Sequence, residues 1–269
     1  MDFLARDASP FEEDFWKGID KAVVEAASRT LVGRRFLSVY GPLGSGTISI
    51  QYDRNDREEV FENGFVKTSG RKAIELPQLY QDFTLLWRDI ENNSRNAMPL
   101  DLSVVAGAAQ ALSKREDELI FYGNNFVGLE GLLNTKGVQK LKLSDWSQGE
   151  NPYTDLVKAI NMIREKSING RLVLCVSQAL YFDLQRIQAG TGMTEYQRIS
   201  NMVSDIHNVS IIKGKTAVLL CVEPQYMDLA IGVDISTSYL EQKDLNHSFR
   251  IIETIAPRIK DTNAIVVIE

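Results

Sequence analysis

A short glycine-rich stretch is the first place where the residues could do chemistry. Gly41 is followed, after four intervening residues, by Gly46 and Thr47, which is most of the spacing that cradles a phosphate. A phosphate loop needs a lysine directly after the second glycine to neutralise phosphate charge. Thr47 occupies that place, and Ile48 follows it. The stretch therefore predicts backbone turns, and a nucleotide-dependent enzyme using Gly41 to Thr47 is the alternative.

Other residues capable of chemistry are few. Neither His207 nor His247 has a second His, Cys, Asp or Glu at metal-ligand spacing, so we expect no metal site. The three acids at 116–118 would point to different sides of a helix, which indicates a solvated face or packing against basic neighbours. Trp87 could stack a flat ligand, but its apolar surroundings favour a tryptophan packed in a core or an interface. The sequence predicts no catalytic site and no cofactor.

Composition narrows the class of protein. The chain has 269 residues, enough for one large domain or two intimate ones, and 44% of them are hydrophobic. Its net charge of −6 argues against nucleic acid as a partner. No apolar run approaches the ~20 residues of a membrane span, and the first residues lack a signal-peptide pattern. Cys175 and Cys221 lie in apolar runs, which predicts buried, reduced thiols in a cytoplasmic protein.

The elements that would position these residues begin with a helix. Ser9 can cap it, Pro10 suits its first position, Glu12 completes a capping box, and Gly33 stops it. A short strand is expected over 35–40. The stretch 47–75 alternates like a hairpin around a turn at 62–64, yet it holds too few apolar residues to bury a face. It therefore needs a neighbour.

Further on, Asp101 is expected to open a helix of about 20 residues that Gly123 closes. Helices and strands are expected to alternate over residues 126–225. One helix is capped by Thr154 and another begins at Ser177, and the strands cover 171–177, 211–214 and 216–222. The chain ends in strands over 227–233, 249–259 and 263–269. We expect the last two of these to pair with early elements.

Several segments taken together resemble a known family. They are MDFLARD with SPFEEDFWKGID, LVGRRFLSVYGPLGSG, LPQLYQDFTLLWRDIE, EDELIFYGN with GLEGLLN, and LNHSFRIIETIAPRIK. In order and spacing they resemble the encapsulins, shell proteins of bacterial protein nanocompartments that older names call linocin or bacteriocin types. GRRFLSVYGPLG, YQDFTLLWRDIE and LNHSFR most resemble encapsulins from Firmicutes. The resemblance covers essentially the whole chain.

The resemblance implies an α+β fold, that of tailed-phage major capsid proteins. It assigns residues 1–46, 76–125 and 226–269 to a peripheral domain and residues 126–225 to an axial domain. Residues 47–75 become an extended loop that lies across a neighbouring subunit. Gly41, Gly44 and Gly46 then become turns that feed this loop.

The implied function is that of a shell without catalytic activity. Copies would assemble into an icosahedral particle of sixty subunits or a multiple, in the cytoplasm, with neither nucleic acid nor membrane as a partner. The enclosed cargo would be a ferritin-like iron-oxidising protein for iron storage, or else a dye-decolourising peroxidase. A true phage major capsid protein is the alternative; only eight residues precede Ser9, which leaves no room for a scaffolding region.

The resemblance also implies two sites. A short cargo peptide would bind the inner surface at Arg34, Phe36, Ser38, Ile231, Ile235, Thr237 and Ser238. Relatives often carry an acid at the Ser38 position and an apolar residue and glycine at 237–238, so the peptide preference is open. A pore loop at the five-fold axis would comprise Gln188, Ala189, Gly190, Thr191, Gly192, Met193 and Thr194. An ordinary helix-to-helix turn has the same composition.

Overall fold

The first half of the chain contains two long helices and a long hairpin. The computed structural model describes residues 3–96, 98–188, 190 and 192–269. Single 3-10 turns lie at 6–8 and 33–35. The other elements, in chain order, are α1 (Glu13–Thr30), β1 (Val39–Tyr40), β2 (Ser49–Glu62), β3 (Phe65–Glu75), β4 (Gln78–Leu85), α2 (Trp87–Asn96) and α3 (Ser103–Tyr122).

The second half is dominated by strands. Its elements are β5 (Gly123–Asn124), β6 (Leu129–Glu130), β7 (Gln139–Leu141), α4 (Asn151–Glu165), β8 (Leu172–Val176), α5 (Gln178–Leu184), α6 (Glu195–Ile199), β9 (Asp205–Asn208), β10 (Ala217–Cys221), β11 (Met227–Lys243), β12 (Asn246–Ile259) and β13 (Ile265–Ile268).

A four-stranded sheet carries the two long helices. Its strand order is β1-β11-β12-β4, with β12 antiparallel to both β11 and β4 and with β1 parallel to β11. Helices α1 and α3 pack against each other, and α3 lies on β4 and β12. Trp16, Ile19, Leu112 and Phe249 are among the buried residues of this core. The apolar face of each helix is thereby buried in this core, as expected for an amphipathic helix.

A five-stranded sheet forms the centre of the other core. Its order is β7-β13-β10-β8-β9, with β10 antiparallel to both of its neighbours. All residues of β8, β10 and β13 are buried, as expected for continuous apolar strands covered on both faces. Trp146 and Leu156 pack in the same core. Cys175 and Cys221 are buried here as free thiols, as predicted.

The hairpin β2–β3 projects from this body, and we call it the arm. Its strands pair from Ser49 opposite Glu75 to Glu62 opposite Phe65. Asn63 and Gly64 both have positive φ, which suits a two-residue hairpin turn. The predicted hairpin and its turn are thus confirmed.

The start of α1 differs from the prediction. The helix begins at Glu13, with no side-chain cap, rather than directly after Ser9. The Ser9 hydroxyl instead accepts hydrogen bonds from the indole nitrogen of Trp16 and from the amide of Phe11. A tertiary contact therefore takes the group that the local pattern assigned to a cap. The helix also ends at Thr30, before Gly33.

Two strand predictions are wrong. Residues 211–214 form a turn, and the strand of this region is β9, which also contains His207. The terminal strand β13 pairs with β10 and β7, rather than with early elements, because its four apolar side chains are buried within the five-stranded sheet. Strand β12 does pair with the early strand β4. The terminal strand therefore lies in the sheet of residues 126–225, and the other domain boundaries stay predictions.

Candidate functional site

A groove of about 280 Å³ lies between α1 and a distorted part of β11. Val24, Ala27 and Leu31 line one side, because three- and four-residue steps place them on the same helix face. Asp234 and Ile235 line the other side. The pairing of β11 with β12 shifts register on either side of residue 233, and such bulges re-aim the side chains around them.

Arg34 forms the floor of this groove and is held by three carboxylates. Its Nε donates to Glu116 at 2.8 Å, its Nη2 to Glu253 at 2.8 Å, and its Nη1 to Asp234 at 2.6 Å. Glu116 and Glu253 are fully buried, whereas the Asp234 side chain is 62% exposed. One guanidinium thus joins α3, β12 and β11 beneath the groove.

In this cluster, burial and like charge favour the neutral carboxyl form, and Arg34 favours the charged form. Burial raises the pKa of Glu253 well above its usual value, repulsion from Glu116 raises it further, and Arg34 opposes the rise. Two buried carboxylates share one cation, so loss of Arg34 would leave buried charge uncompensated. The neighbouring Asp117 accepts the backbone amides of Val32 and Gly33 at 3.0 and 2.9 Å. Burial nevertheless raises the pKa of Asp117 to about 6.

Sequence reasoning missed the burial of these acids. A solvated face is wrong for Glu116 and Asp117, while packing against a basic residue is correct for Glu116. A signal was available, because Glu116 falls on the apolar stripe four residues after Leu112 and four before Ile120. The identity of its partner had no local signal, since 82 residues separate it from Arg34.

The seven predicted cargo-site residues separate into three groups. Arg34 and Ile235 line the groove together. Phe36 and Ile231 are buried, and Phe36 stacks on His207 with ring centroids 5.6 Å apart. Ser38 directly precedes β1, and its carbonyl accepts the amide of Leu229, while Thr237 and Ser238 are buried in β11.

The predicted pore loop is closed at its base by backbone hydrogen bonds. The amide of Gln188 donates to Met193 at 2.9 Å, and that of Glu195 donates to Arg186 at 3.0 Å. Thr194 caps α6 through a capping box. Gly190 and Gly192 have positive φ, which glycine adopts readily. Ala189 and Thr191 of the prediction lie outside the described residues.

The glycine-rich stretch is hydrogen-bonded to the four-stranded sheet. The amides of Leu43 and Gly44 donate to the carbonyls of Ile231 and Gly232, both at 2.9 Å. A side chain at Gly41 would come within 2.2 Å of the Ile231 carbonyl, so this close approach needs glycine. Two amides that a phosphate cradle would use are therefore bonded to β11, and the chain continues into the arm as turns.

Trp87 is more exposed than a core residue. It opens α2, its side chain is 38% exposed, and the Arg88 guanidinium lies 5.5 Å from its ring centre. The expectation of core packing is wrong, because α2 has no buried residue among those described. An interface role for Trp87 stays a prediction.

Across residues 3–96, 98–188, 190 and 192–269, no helix has the length and apolar character of a membrane span. Within the same ranges, no group of three or more His, Cys, Asp and Glu side chains is arranged to hold a metal ion.

Comparison with known proteins identifies the family. Residues 1–256 match the model of the Linocin family, described as the encapsulating protein for peroxidase. The chain belongs to the encapsulin shell protein family. A type 1 encapsulin shell protein of Myxococcus xanthus is 36% identical, over all of this chain and 96% of that relative. Encapsulin subunits are structural shell proteins, not enzymes, and this chain is one of them.

Three further similarities are to a fusion protein and to two solved structures. A ferritin-like-encapsulin shell fusion protein of Pyrococcus furiosus is 25% identical over 78% of this chain and 56% of its own length. The virus-like particle of Pyrococcus furiosus matches with a TM-score of 0.74 and 22% identity, over 95% of this chain and 99% of that one. A Myoviridae phage capsid matches at 0.66 and 14% identity, over 87% and 90%. The α+β fold of tailed-phage capsid proteins is thus confirmed, and the Firmicute affinity stays a prediction.

Proposed function

We propose that this encapsulin forms a closed cytoplasmic shell of sixty copies or a multiple, and that it retains a cargo protein through an extended peptide bound in the groove between α1 and β11. The groove itself is the main support for this proposal, because it has an apolar helix wall, a bulged strand opposite that wall, and the fixed charge of Arg34 at its floor. Neither nucleic acid nor membrane is part of the proposal.

The shape of the groove suits an extended peptide. Val24, Ala27 and Leu31 offer shallow contacts for small apolar side chains. A guanidinium has five N–H donors, and Arg34 has placed three on its carboxylates, so others can donate to a peptide carbonyl. The exposed Asp234 carboxylate can accept a peptide amide. The buried residues Phe36, Ile231, Thr237 and Ser238 would shape the groove from behind.

Two classes of cargo are proposed on the strength of the relatives. A ferritin-like iron-oxidising protein is favoured, because the Pyrococcus furiosus relative carries a ferritin-like part within its own chain. A peroxidase is the second candidate, because the family description names one. Either would use the same groove, since the peptide and not the cargo fold makes the contact.

Filling the groove tests this proposal. Val24→Trp would place a large side chain on the helix wall, so co-expressed ferritin-like cargo should no longer co-purify with the shells. Val104→Trp is the matched control, because Val104 is about equally exposed on α3 and does not line the groove. Electron microscopy checks that both variants form shells. Full cargo loading in the Val24 variant would contradict the groove assignment.

We further propose that residues 188–194 line a narrow opening at a symmetry axis. The bonded base would hold the loop in place while its two glycines keep the backbone adaptable. Replacing Met193 with Asp should slow the entry of a small anion relative to a neutral solute of similar size. Equal entry of both into wild-type and variant shells, followed with a dye inside the shell, would contradict the pore role.

A further inference from the structure

The N-terminal residues fold back over the four-stranded sheet beside the groove. The amide of Tyr239 on β11 donates to the carbonyl of Leu4 at 2.9 Å, and a single 3-10 turn follows at 6–8. Ala5 stands between them with φ 51° and ψ 26°, a left-handed conformation that is uncommon for residues with a side chain. Such strain persists where the surrounding contacts hold the backbone, and it is frequent at sites that clamp a ligand.

Arg6 is the residue that this strained turn positions, and it joins the two walls of the groove. Its Nη1 and Nη2 donate to the two carboxylate oxygens of Asp20 on α1, both at 2.7 Å. Its Nε donates to the carbonyl of Thr237 on β11 at 2.9 Å. Its guanidinium carbon lies 4.5 Å from the ring centre of Trp16, which adds a cation–π contact. In the part of the chain that the structure describes, no other side chain has hydrogen bonds to both α1 and β11.

The partners of Arg6 place this bridge at one end of the groove. On α1 the groove lining runs from Val24 to Leu31. Asp20 precedes Val24 by four residues, so it lies one turn away on the same face of the helix. On β11, Thr237 lies just beyond the last lining residue of the strand. The bridge therefore crosses from wall to wall directly past the Val24 end.

The bridge contributes more to geometry than to folding energy. A guanidinium and a carboxylate that share two parallel hydrogen bonds are fixed in orientation as well as in distance. The side chains of Arg6 and Asp20 are 23% and 42% exposed, so solvent screens their attraction and its net contribution to subunit folding is small. A contact of this kind affects the spacing of the two walls that it joins.

We propose that Arg6 is a positioning residue that closes the Val24 end of the groove and holds α1 at the distance from β11 that an extended cargo peptide requires. The carbonyl of Thr237 fixes Arg6 on one wall, and the carboxylate of Asp20 fixes it on the other. This inference rests on the proposed cargo function and adds the residue that sets the width of the binding groove.

Cargo loading tests the effect of the bridge on retention. Arg6→Gln removes the bidentate pair, so its shells should form with wild-type yield and melting temperature but contain several-fold less co-expressed ferritin-like cargo. Asp20→Asn breaks the pair from the other wall and should give a similar loss. The double variant should lose no more than either single one, because both changes remove one contact. Wild-type loading of the Arg6→Gln shells, or additive losses in the double variant, would overturn the proposal.

A matched control comes from the same helix. Lys17→Gln also removes a cation that pairs with carboxylates of α1, but its partners Glu13 and Asp14 lie on its own helix. We expect full cargo loading in this variant. A loss equal to that of Arg6→Gln would assign the effect to the charge of α1 and overturn the role of the bridge.

Ala5 offers a test that leaves every charged group in place. Ala5→Gly suits the left-handed backbone and should retain full loading, because glycine adopts positive φ without strain. Ala5→Val should displace Arg6 and lower loading, because a β-branched residue is strongly disfavoured at positive φ. Full loading of both variants would contradict the proposal.

Distance measurements report the wall spacing directly. Spin labels are attached at Lys21→Cys on α1 and Glu241→Cys on β11, both exposed in the native chain, while the native Cys175 and Cys221 are buried. Shells are assembled with an excess of unlabelled subunits, so that pulsed electron resonance measures distances within one subunit. The distribution should be narrow with Arg6 present and broader or longer in the Arg6→Gln background. An unchanged distribution would overturn the proposal even if loading fell.

The Val24→Trp shells distinguish a failure of this inference from a failure of the proposed function. If Val24→Trp prevents loading and Arg6→Gln does not, the cargo groove stands and the role of Arg6 is wrong. If the Val24→Trp shells load fully, the cargo groove itself is wrong, and the role of Arg6 is rejected with it.

Discussion

The arm and the five-stranded sheet differ in where they find their contacts. In β8, β10 and β13 all residues are buried within the subunit, whereas residues 57–67 of the arm are all exposed. Both are β-structure from one chain. The sheet is completed by its own helices and loops, whereas the arm contacts the body in its proximal half, where the backbone amide of Asn55 donates to the Lys260 carbonyl and Lys72 pairs with Glu130.

This contrast separates the folding stability of the subunit from the stability of the assembled shell. Changes in the sheet should act on the folding of each subunit, and changes in the distal arm should act on assembly. A hairpin gains little on its own in water, so the arm contributes free energy only when a second chain covers it. The following variants would break or sharpen that division.

Removal of the distal arm should have the largest effect. A chain in which Asp53 is joined to Arg71 through an Asn-Gly turn should remain folded but form no closed shells, because the surface reserved for neighbours is gone. Size-exclusion chromatography and electron microscopy measure this result. Intact particles from the shortened chain would contradict the division between body and arm.

Loss of Arg34 should strongly destabilise the body. Arg34→Met leaves Glu116 and Glu253 buried without their cation, which costs about 3–5 kcal/mol of unfolding free energy. Urea unfolding of arm-shortened subunits measures it without assembly. Replacing both glutamates with Gln in the Arg34→Met background should recover much of the loss. If the triple variant has the same low unfolding free energy as Arg34→Met alone, the charge argument is contradicted.

Truncation of apolar side chains should give opposite results in the two regions. Leu174→Ala opens a cavity in the buried sheet and should cost about 2–5 kcal/mol of subunit stability. Phe61→Ala removes an exposed ring and should leave subunit stability unchanged while it weakens assembly. Urea unfolding and particle yield, measured on both variants, distinguish the two effects. Similar losses of subunit stability would show that the arm packs on its own body.

The pH dependence of folding should report on Asp117. Its pKa is about 6 in the folded state and 3.8 when exposed, so the folded chain binds this proton more tightly. Stability should therefore fall as the pH rises from about 4 to 6, by about 3 kcal/mol in total, and change little above that. Asp117→Asn should remove most of this slope while an oxygen remains to accept the Gly33 amide. An unchanged slope would assign the effect to another carboxyl group.

The parts of the fold that local pattern determines were predictable from the sequence. The Asn63-Gly64 turn, the continuous apolar run of β8 and the glycine end of α3 each follow from a few neighbouring residues. The start of α1 was misplaced because Ser9 bonds to Trp16 instead of capping the helix. The pairing of β13 was misplaced because apolar composition identifies a buried strand but not its neighbours.

The cargo site stays a prediction, but the structure shows how its residues lie relative to one another. Arg34 and Ile235, which the family resemblance assigned to one site, line the same groove. The three carboxylates around Arg34 come from positions 82, 200 and 219 residues away, so only the tertiary structure brings them together. Exposure could not be read from the strand pattern either, because β11 is covered on one part of its length and bulged on another.

The long ribbon of β11 and β12 has a mechanical consequence. The end of the ribbon that contains Leu229 and Ile255 packs in the core of the five-stranded sheet. The end that contains Phe249 packs in the helix-covered core. Three register shifts interrupt the ladder between these ends. Since pleated ribbons bend most easily at such irregularities, any flexing of one half of the subunit against the other is concentrated there. We therefore expect the curvature of an assembled shell to be adjusted at a few residues of this one ribbon, with both cores left intact.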